Sequence, residues 1–198
     1  MIKLWKGINK MRKILLSQEE ISRRCKAVAK EIEEKIKGEE RVPLLVGVMK
    51  DAMNFMMKVI ENIDVPIFTD FIQISSYFGT QRTNNVRLLK DISYDCTNRT
   101  VIIIEDIIDS GYSMKFLTEH IKLNGAKKVY VCTLIDKAVA REVEVPIDFV
   151  GYTMQENQFV AGFGLDYNEL ERNIPYIYEV DENDLKRMDE VLKKDQEK

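Results

Sequence analysis

Short unbroken apolar runs alternate with amphipathic stretches along most of the chain. The runs "VPLLVGV" (42–48), "TVIIIED" (100–106) and "KKVYVCTLID" (127–136) show no in-out alternation. Apolar runs of this length suit strands covered on both faces, as in a parallel sheet. "VPIFTDFIQISSY" (65–77) reads as a further strand. Between the runs the period changes to that of a helix. Ser17 and Glu20 form a capping-box pattern, and Ile21, Cys25, Val28, Ile32 and Ile36 keep helical spacing as far as Gly38, which predicts a helix over 18–36. "DAMNFMMKVIENI" (51–63) and "MKFLTEHIKLNG" (114–125) read as two more helices, the second ended by glycine. Strand alternating with helix predicts an α/β fold with a central parallel sheet flanked by helices.

Three stretches break this rhythm. "FGTQRTNNVRLLKDISYDCTNR" (78–99) is polar and turn-rich at first, the reading of a mobile lid, and "VRLLKDI" within it reads as an edge or hairpin strand. After "PIDFVGYT" comes the aromatic, glycine-rich "QFVAGFGLDYNELERNIPYIYEV", expected to form a small hood over one end of the sheet. The tail (181–198) is a charged amphipathic helix with Leu185, Met188 and Leu192 on one side. A solvated surface helix is its plain reading, a subunit contact the sharper one. The whole is expected to be one domain, 1–198, with a core of about 14–180, an N-terminal extension (1–13) and the C-terminal helix as a second extension.

Thirty basic and 33 acidic residues give a net charge of −3, so the chain has no overall electrostatic footprint for nucleic acid or an anionic membrane. Small molecules or other subunits are the expected partners. Cys25, Cys96 and Cys132 are odd in number, widely spaced and without a Cys-x-x-Cys pair, which points to reduced thiols in a cytoplasmic protein rather than to disulfides or structural zinc. The opening "MIKLWKGINKMRK" is basic but lacks the apolar run of a secretory signal.

The chemistry concentrates in "VIIIEDIIDSGYSM" (101–114). Its strand carries Glu105 and Asp106 toward a carboxyl-terminal sheet edge, where ligands of open α/β sheets bind. Asp109, Ser110, Gly111, Tyr112 and Ser113 then open a helix whose free N–H groups form an anion cradle. Two unit charges 4 Å apart repel by about 4 kcal/mol at an effective dielectric of about 20, so a bare phosphate beside these acids is not the whole ligand. A divalent cation and a group rich in hydroxyl donors reconcile the signs. A ribose 5-phosphate fits, with its phosphate in the cradle, its diol on Glu105 and Asp106, and Mg²⁺ bridging hydroxyl and phosphate oxygens. A receiver-like phosphoacceptor or metal pocket, or simple N-capping by Asp109, remain alternative readings of the same residues.

The same stretch closely resembles the phosphoribosyl pyrophosphate loop of the hypoxanthine (hypoxanthine-guanine) phosphoribosyltransferases. The resemblance continues in family order through "ILLSQEEI", "LLVGVMK", "DFIQISSY", "LIDK" and "FVAGFGLDYNELERNIPYI", covering about residues 14–180. It implies a type I phosphoribosyltransferase-like fold and a Mg²⁺-dependent transfer of the 5-phosphoribosyl group from phosphoribosyl pyrophosphate to a 6-oxopurine. Carried over by position, Glu105 and Asp106 would hold the ribose diol and contact metal. Asp109 would exchange a proton with the purine imidazole, and Ser110, Gly111, Tyr112 and Ser113 would bind the 5-phosphate. Lys137 would donate to the exocyclic oxygen, Phe159 would stack on the base, and Val160 would present backbone groups to its edge. Asp166 would ligate Mg²⁺, Arg172 would neutralise the leaving pyrophosphate, and Ser76 and Tyr77 would belong to the closing lid. The resemblance also implies a homodimer or homotetramer.

The chain departs from the family pattern at Lys50-Asp51, where glycine typically follows the lysine of the pyrophosphate loop. Asp51 is expected to turn away and cap the following helix, with weakened donor binding as the consequence. The stretch before Phe159 is one residue longer than usual, which leaves the choice among hypoxanthine, guanine and xanthine open. A non-catalytic module that senses phosphoribosyl pyrophosphate is the alternative function. Retention of Asp109, Lys137, Asp166 and Arg172 together argues against it, since a sensor needs neither a proton exchanger nor a purine clamp.

Overall fold

The structure, a computed structural model, describes residues 12–78 and 81–196, without the side chains of 76–78 and 81–85. Most of the expected N-terminal extension lies outside the described residues. In chain order the elements are β1 (Lys13–Leu16), α1 (Gln18–Ile36), β2 (Leu44–Met49), α2 (Met53–Ile60), β3 (Phe68–Phe78), β4 (Gln81–Lys90) and β5 (Thr100–Ile108). They continue with α3 (Tyr112–Leu123), β6 (Lys128–Asp136), β7 (Phe149–Thr153), β8 (Val160–Ala161), β9 (Ile177–Glu179) and α4 (Glu182–Gln196). The fold is the α/β class predicted. The chain divides into two compact units, Ser22–Asn157 and the described residues of Met1–Ile21 with Gln158–Lys198.

The larger unit is built on a six-stranded sheet of order β4-β3-β2-β5-β6-β7. All neighbours are parallel except the β3–β4 hairpin. Leu44, Val46 and Val48 of β2 and Val101 and Ile103 of β5 pack with Met114, Leu117 and Ile121 of α3. The residues of opposite parity, Leu45, Ile102 and Ile104, are also fully buried, so both faces are covered and the sequence shows continuous apolar runs. Each such side chain contributes about 1.5–3 kcal/mol of burial. Gly47 in β2 leaves room for its neighbours, since a Cβ there would meet the sulfur of Met56 at 2.5 Å.

Helix α1 spans the predicted residues, and its predicted stripe Ile21, Cys25, Val28, Ile32 and Ile36 is buried. Glu20 N donates to Ser17 Oγ at 3.2 Å, one half of the expected capping box. Strand β4 begins at Gln81, earlier than "VRLLKDI" suggested, because the polar residues of 81–85 extend the hairpin ladder with β3. Polar side chains do not oppose a strand whose partner is already in place, as an edge strand keeps one side open to water.

The smaller unit takes in the stretch expected as a hood, Gln158–Val180, together with the described residues before Ser22 and the C-terminal helix. It holds a three-stranded antiparallel sheet, β1-β9-β8, whose strands are too short for sequence periodicity to register. Helix α4 belongs to it, and the plain reading of that helix as a solvated surface element needs correction. Met188 is buried at 1 % exposure and Asp184, a carboxylate, at 5 %. The charged partners described below make that burial tolerable.

Candidate active site

In the parallel sheet the chain runs from β2 outward to β3, then returns to the other side of β2 to lay down β5, β6 and β7. The carboxyl ends of β2 and β5 therefore flank the point where strand order reverses, the place where open α/β sheets form a ligand crevice. Lys50 and Asp51 follow β2 directly, and β5 carries Glu105 and Asp106.

Strand β5 runs on to Ile108, so these two acids lie inside its carboxyl-terminal turn of ladder rather than at its end. Both are buried, Glu105 at 8 % and Asp106 at 1 % exposure. Asp106 N donates to Glu105 Oε1 at 3.2 Å, and Ile107 N donates to Asp106 Oδ1 at 2.7 Å. Burial, then the neighbouring Asp106 and Asp51 carboxylates, hold the Glu105 carboxyl well above its ordinary value of 4.5. Ala52 occupies the N-cap of α2 and offers no side-chain hydrogen bond. The N-cap thus falls on Ala52 and not on Asp51, which corrects the expected capping role, and the Asp51 charge helps to raise Glu105.

Carboxylates that crowd Glu105 in this way suit a cation, and their oxygens are the hard donors that Mg²⁺ prefers. Among the described residues no group of three or more His, Cys, Asp or Glu side chains stands in metal-binding geometry. Mg²⁺ commonly takes one or two carboxylates and completes its shell with water and substrate oxygens, so Glu105 and Asp106 fit a shared rather than a dedicated site.

The raised pKa of Glu105 has a consequence for stability. The folded chain retains a proton that the unfolded chain releases near 4.5, so the contribution is fully present below that pH and is lost as pH rises through the folded-state value. Glu105→Gln keeps the acceptor oxygen for Asp106 N and removes the titration. Melting curves should show the variant more stable than the parent at pH 8, on the order of a few degrees, with the gap vanishing near pH 4. A gap of the same size at both pH values would contradict this account.

Past β5, Asp109 and Ser110 lead into Gly111, the N-cap of α3, with φ of 93° and no side-chain cap. The first-turn N–H groups of a helix have no intrahelical acceptor, so those that Tyr112 and Ser113 begin are open to an anion. The cradle is braced from one side: Glu142 N and Val143 N both donate to Ser110 O, at 3.0 and 3.1 Å. Arg141 completes the brace, with Nε donating to Asp109 O at 2.8 Å and Nη2 to Ile108 O at 3.1 Å and Asp136 Oδ1 at 2.6 Å. Neither Arg141 nor Asp136 was singled out in the sequence, since an arginine in a polar loop looks like any solvated arginine.

The register of β5 against β6 sets Ile108 beside Asp136, and Lys137 N donates to Ile108 O at 3.1 Å. Asp109 and Lys137 thereby stand abreast beyond the two strands, with Lys137 Nζ 3.7 Å from Asp109 Oδ1. Lys137 is only 8 % exposed, not the solvent-exposed strand-end lysine that composition alone would favour. Strand β3 carries Ser76 and Tyr77, whose side chains lie outside the described residues, as do residues 79 and 80 of the expected lid.

The smaller unit holds the remaining predicted residues. Phe159 is 48 % exposed, and its ring and that of Tyr167 meet edge to face with centroids 6.1 Å apart. Its carbonyl is fixed by Val180 N at 2.9 Å, and Val160 is buried in β8 opposite Glu179. Asp166 and Arg172 come together: Arg172 Nη2 is 3.2 Å from Asp166 Oδ1, and Arg172 Nη1 donates to Gly164 O at 2.6 Å. Glu169 N donates to Asp166 Oδ2 at 2.6 Å, so the carboxylate is held in a fixed orientation. Gly162 and Gly164, with φ of 100° and 106°, make the tight turns that allow this closure.

The phosphoribosyl transferase domain family matches residues 11–168. A hypoxanthine-guanine phosphoribosyltransferase of Streptococcus mutans serotype c is 41% identical over 168 residues, 84% of this chain and 92% of the relative. The bifunctional protein TilS/HprT of Listeria monocytogenes serotype 4b is 40% identical over 170 residues, 85% of this chain, and the chain spans only 26% of that longer relative. The crystal structure of a hypoxanthine phosphoribosyltransferase from Staphylococcus aureus superposes with a TM-score of 0.82 at 34% identity, covering 88% of this chain and 94% of that one.

Proposed function

The chain belongs to the phosphoribosyl transferase domain family, among the hypoxanthine-guanine phosphoribosyltransferases, and from that membership we propose that it is a purine salvage enzyme. It transfers the 5-phosphoribosyl group of phosphoribosyl pyrophosphate to hypoxanthine, and to guanine, releasing pyrophosphate. The observation that carries the reading is the pairing of a carboxylate and a buried ammonium, Asp109 and Lys137, at 3.7 Å beside a helix N-terminus built to take phosphate.

The cradle of Ser110 to Ser113 binds the 5-phosphate, and the Glu105 and Asp106 carboxylates accept from the ribose diol. The bond from C1′ to the pyrophosphate oxygen breaks as the bond from C1′ to the purine nitrogen forms. Asp109 accepts the proton that the imidazole ring gives up, and its charge steadies the developing ribosyl cation. Lys137 donates to the exocyclic oxygen of a 6-oxopurine; adenine presents an amine there, which would leave the buried ammonium without an acceptor. Phe159 stacks on a purine and Val160 offers backbone groups. Glu105 and Asp106, and in the smaller unit Asp166, are the residues that would offer oxygens to Mg²⁺, which when bound would supply charge neutralisation for the pyrophosphate. Arg172 supports the same leaving group, and closure of residues Ser76 and Tyr77 over the site excludes water.

Purified protein should turn over hypoxanthine and guanine with phosphoribosyl pyrophosphate and Mg²⁺ in a spectrophotometric assay, and adenine not at all. Equal use of adenine would remove Lys137 from specificity, and no turnover of any purine would end the reading. The relatives lend no support to a purely regulatory module. Three free buried cysteines suit a reducing cytoplasm. Burial, against the opposing charge of Lys58 and with a smaller push from Glu61, raises the Cys25 thiol to about 12, which leaves it inert. We assign a homodimer or homotetramer by family membership.

Asp51 works against this reaction as the sequence stands. Its charge adds to the repulsion at Glu105 and faces an anionic donor. Asp51→Gly should lower the donor KM by roughly three- to tenfold, the effect of one screened charge. A higher KM in the variant would show that the carboxylate has been recruited, for instance toward the metal.

A further inference from the structure

The segment carrying Asp166 and Arg172 is fastened by residues to which the proposed reaction assigns no role. Glu171, next to Arg172, is a carboxylate with no side-chain exposure. It is met by Arg12 Nη2 at 3.0 Å, Arg187 Nη2 at 3.2 Å and Tyr178 Oη at 3.1 Å. Asp184 closes the square, 3.3 Å from Arg12 Nε and 2.8 Å from Arg187 Nη1. The Arg12 guanidinium also lies over the Tyr178 ring at 3.9 Å from its centroid. A second fastening sits at the other end of the segment, where Tyr167 Oη donates to Asp189 Oδ1 at 2.9 Å.

Asp184, Arg187 and Asp189 all belong to α4, which lies beyond the family match ending at residue 168. Between the two fastenings the backbone is held in conformations that non-glycine residues resist: Asn168, Glu169 and Glu171 have φ of 48°, 68° and 73°. An L residue is disfavoured in the left-handed region, so a segment with three of them needs external contacts to keep its shape. That shape is what places Glu169 N on Asp166 and Arg172 on Asp166 and Gly164.

We propose that α4 is a positioning strut for pyrophosphate recognition: Arg187, through Glu171, and Asp189, through Tyr167, hold Asp166 and Arg172 in the geometry that grips the leaving group. The proposal rests on the phosphoribosyltransferase reading and extends it to residues outside the reacting groups. A square of two arginines and two carboxylates in which all but Arg187 are buried is a rigid device, because loss of one member leaves a charge that the rest must relax to solvate. Loosening a binding group by about 1 Å is enough to change its contribution by orders of magnitude.

The test compares Arg187→Met, Arg187→Lys and Tyr167→Phe with the parent, each first checked by thermal melting. Measured are kcat, KM for phosphoribosyl pyrophosphate and for hypoxanthine, and, by calorimetry in Mg²⁺, the binding of pyrophosphate and of the nucleotide product. Arg187→Met should raise the donor KM and the pyrophosphate Kd roughly tenfold, with the hypoxanthine KM and product binding near the parent values. Arg187→Lys should recover part of the loss, and Tyr167→Phe, which removes one hydroxyl and keeps the ring, should shift the same two constants by roughly threefold. If Arg187→Met fails to fold, the Tyr167→Phe split decides the matter. Folded variants with unchanged pyrophosphate Kd would overturn the strut, as would a uniform loss across all constants. A parent that binds pyrophosphate but turns over no purine would overturn the proposed function alone, and the pyrophosphate constants would still judge the strut.

Discussion

Asp109→Asn is expected to lower turnover of hypoxanthine by about 10²–10⁴-fold, the range of a lost general base, while donor binding stays close to that of the parent. The asparagine keeps the size and much of the hydrogen-bonding capacity of aspartate. The backbone at this position is held independently of the side chain, since its carbonyl accepts from Arg141 Nε at 2.8 Å. What disappears is the ability to take a proton. A secondary loss follows from Lys137, whose ammonium is buried and lies 3.7 Å from Asp109 Oδ1. Without that partner the lysine is less well held, and the KM for the base should rise modestly. Steady-state rates across pH with saturating donor would measure both effects. A variant within about threefold of the parent in kcat would exclude Asp109 as the proton acceptor.

Gly111→Val should abolish tight binding of the 5-phosphate, with affinity for the nucleotide product falling on the order of 10²-fold. Two costs act together. The backbone sits at φ of 93°, where an L side chain is disfavoured by about 1–2 kcal/mol. A Cβ there would also come within 2.9 Å of Val143 O and 3.0 Å of Arg141 Cδ, which forces the bracing segment outward. Overpacking of that kind costs typically about 1–3 kcal/mol. The strain falls on the cradle, while Met114, Leu117 and Ile121 keep α3 on the sheet. Product binding by calorimetry should collapse while pyrophosphate binding persists. Retention of product affinity would show that the cradle tolerates rearrangement and that its donors lie elsewhere.

Much of this site was legible because its pieces are local. Glu105 to Ser113 form one contiguous stretch, and the change from strand to helix within it follows from apolar run, glycine and hydroxyl residues in sequence. Helix α1 was equally plain, since five apolar residues at helical spacing and a serine cap act over neighbouring turns. The short strands β1, β8 and β9 were not, because two to four residues hold no period. Arg141 escaped notice for a related reason: its chemistry depends on which carbonyls lie in front of it, and nothing in the residues around it records that.

The sequence by itself therefore determined the α/β class, which follows from periodicity, and through the resemblance of its motifs it pointed to the family and to a candidate anion cradle. Tertiary structure alone decided how distant residues meet. The register of β5 on β6 set Asp109 beside Lys137, the adjacency of β2 and β5 brought the Asp51 charge to Glu105, and α4 joined Arg12 and Glu171 in one buried network. The physical reason is that a helix or strand is selected by interactions a few residues apart. Strand order, register and buried charge pairing are selected by the whole core, and only there do residues far apart in sequence acquire partners.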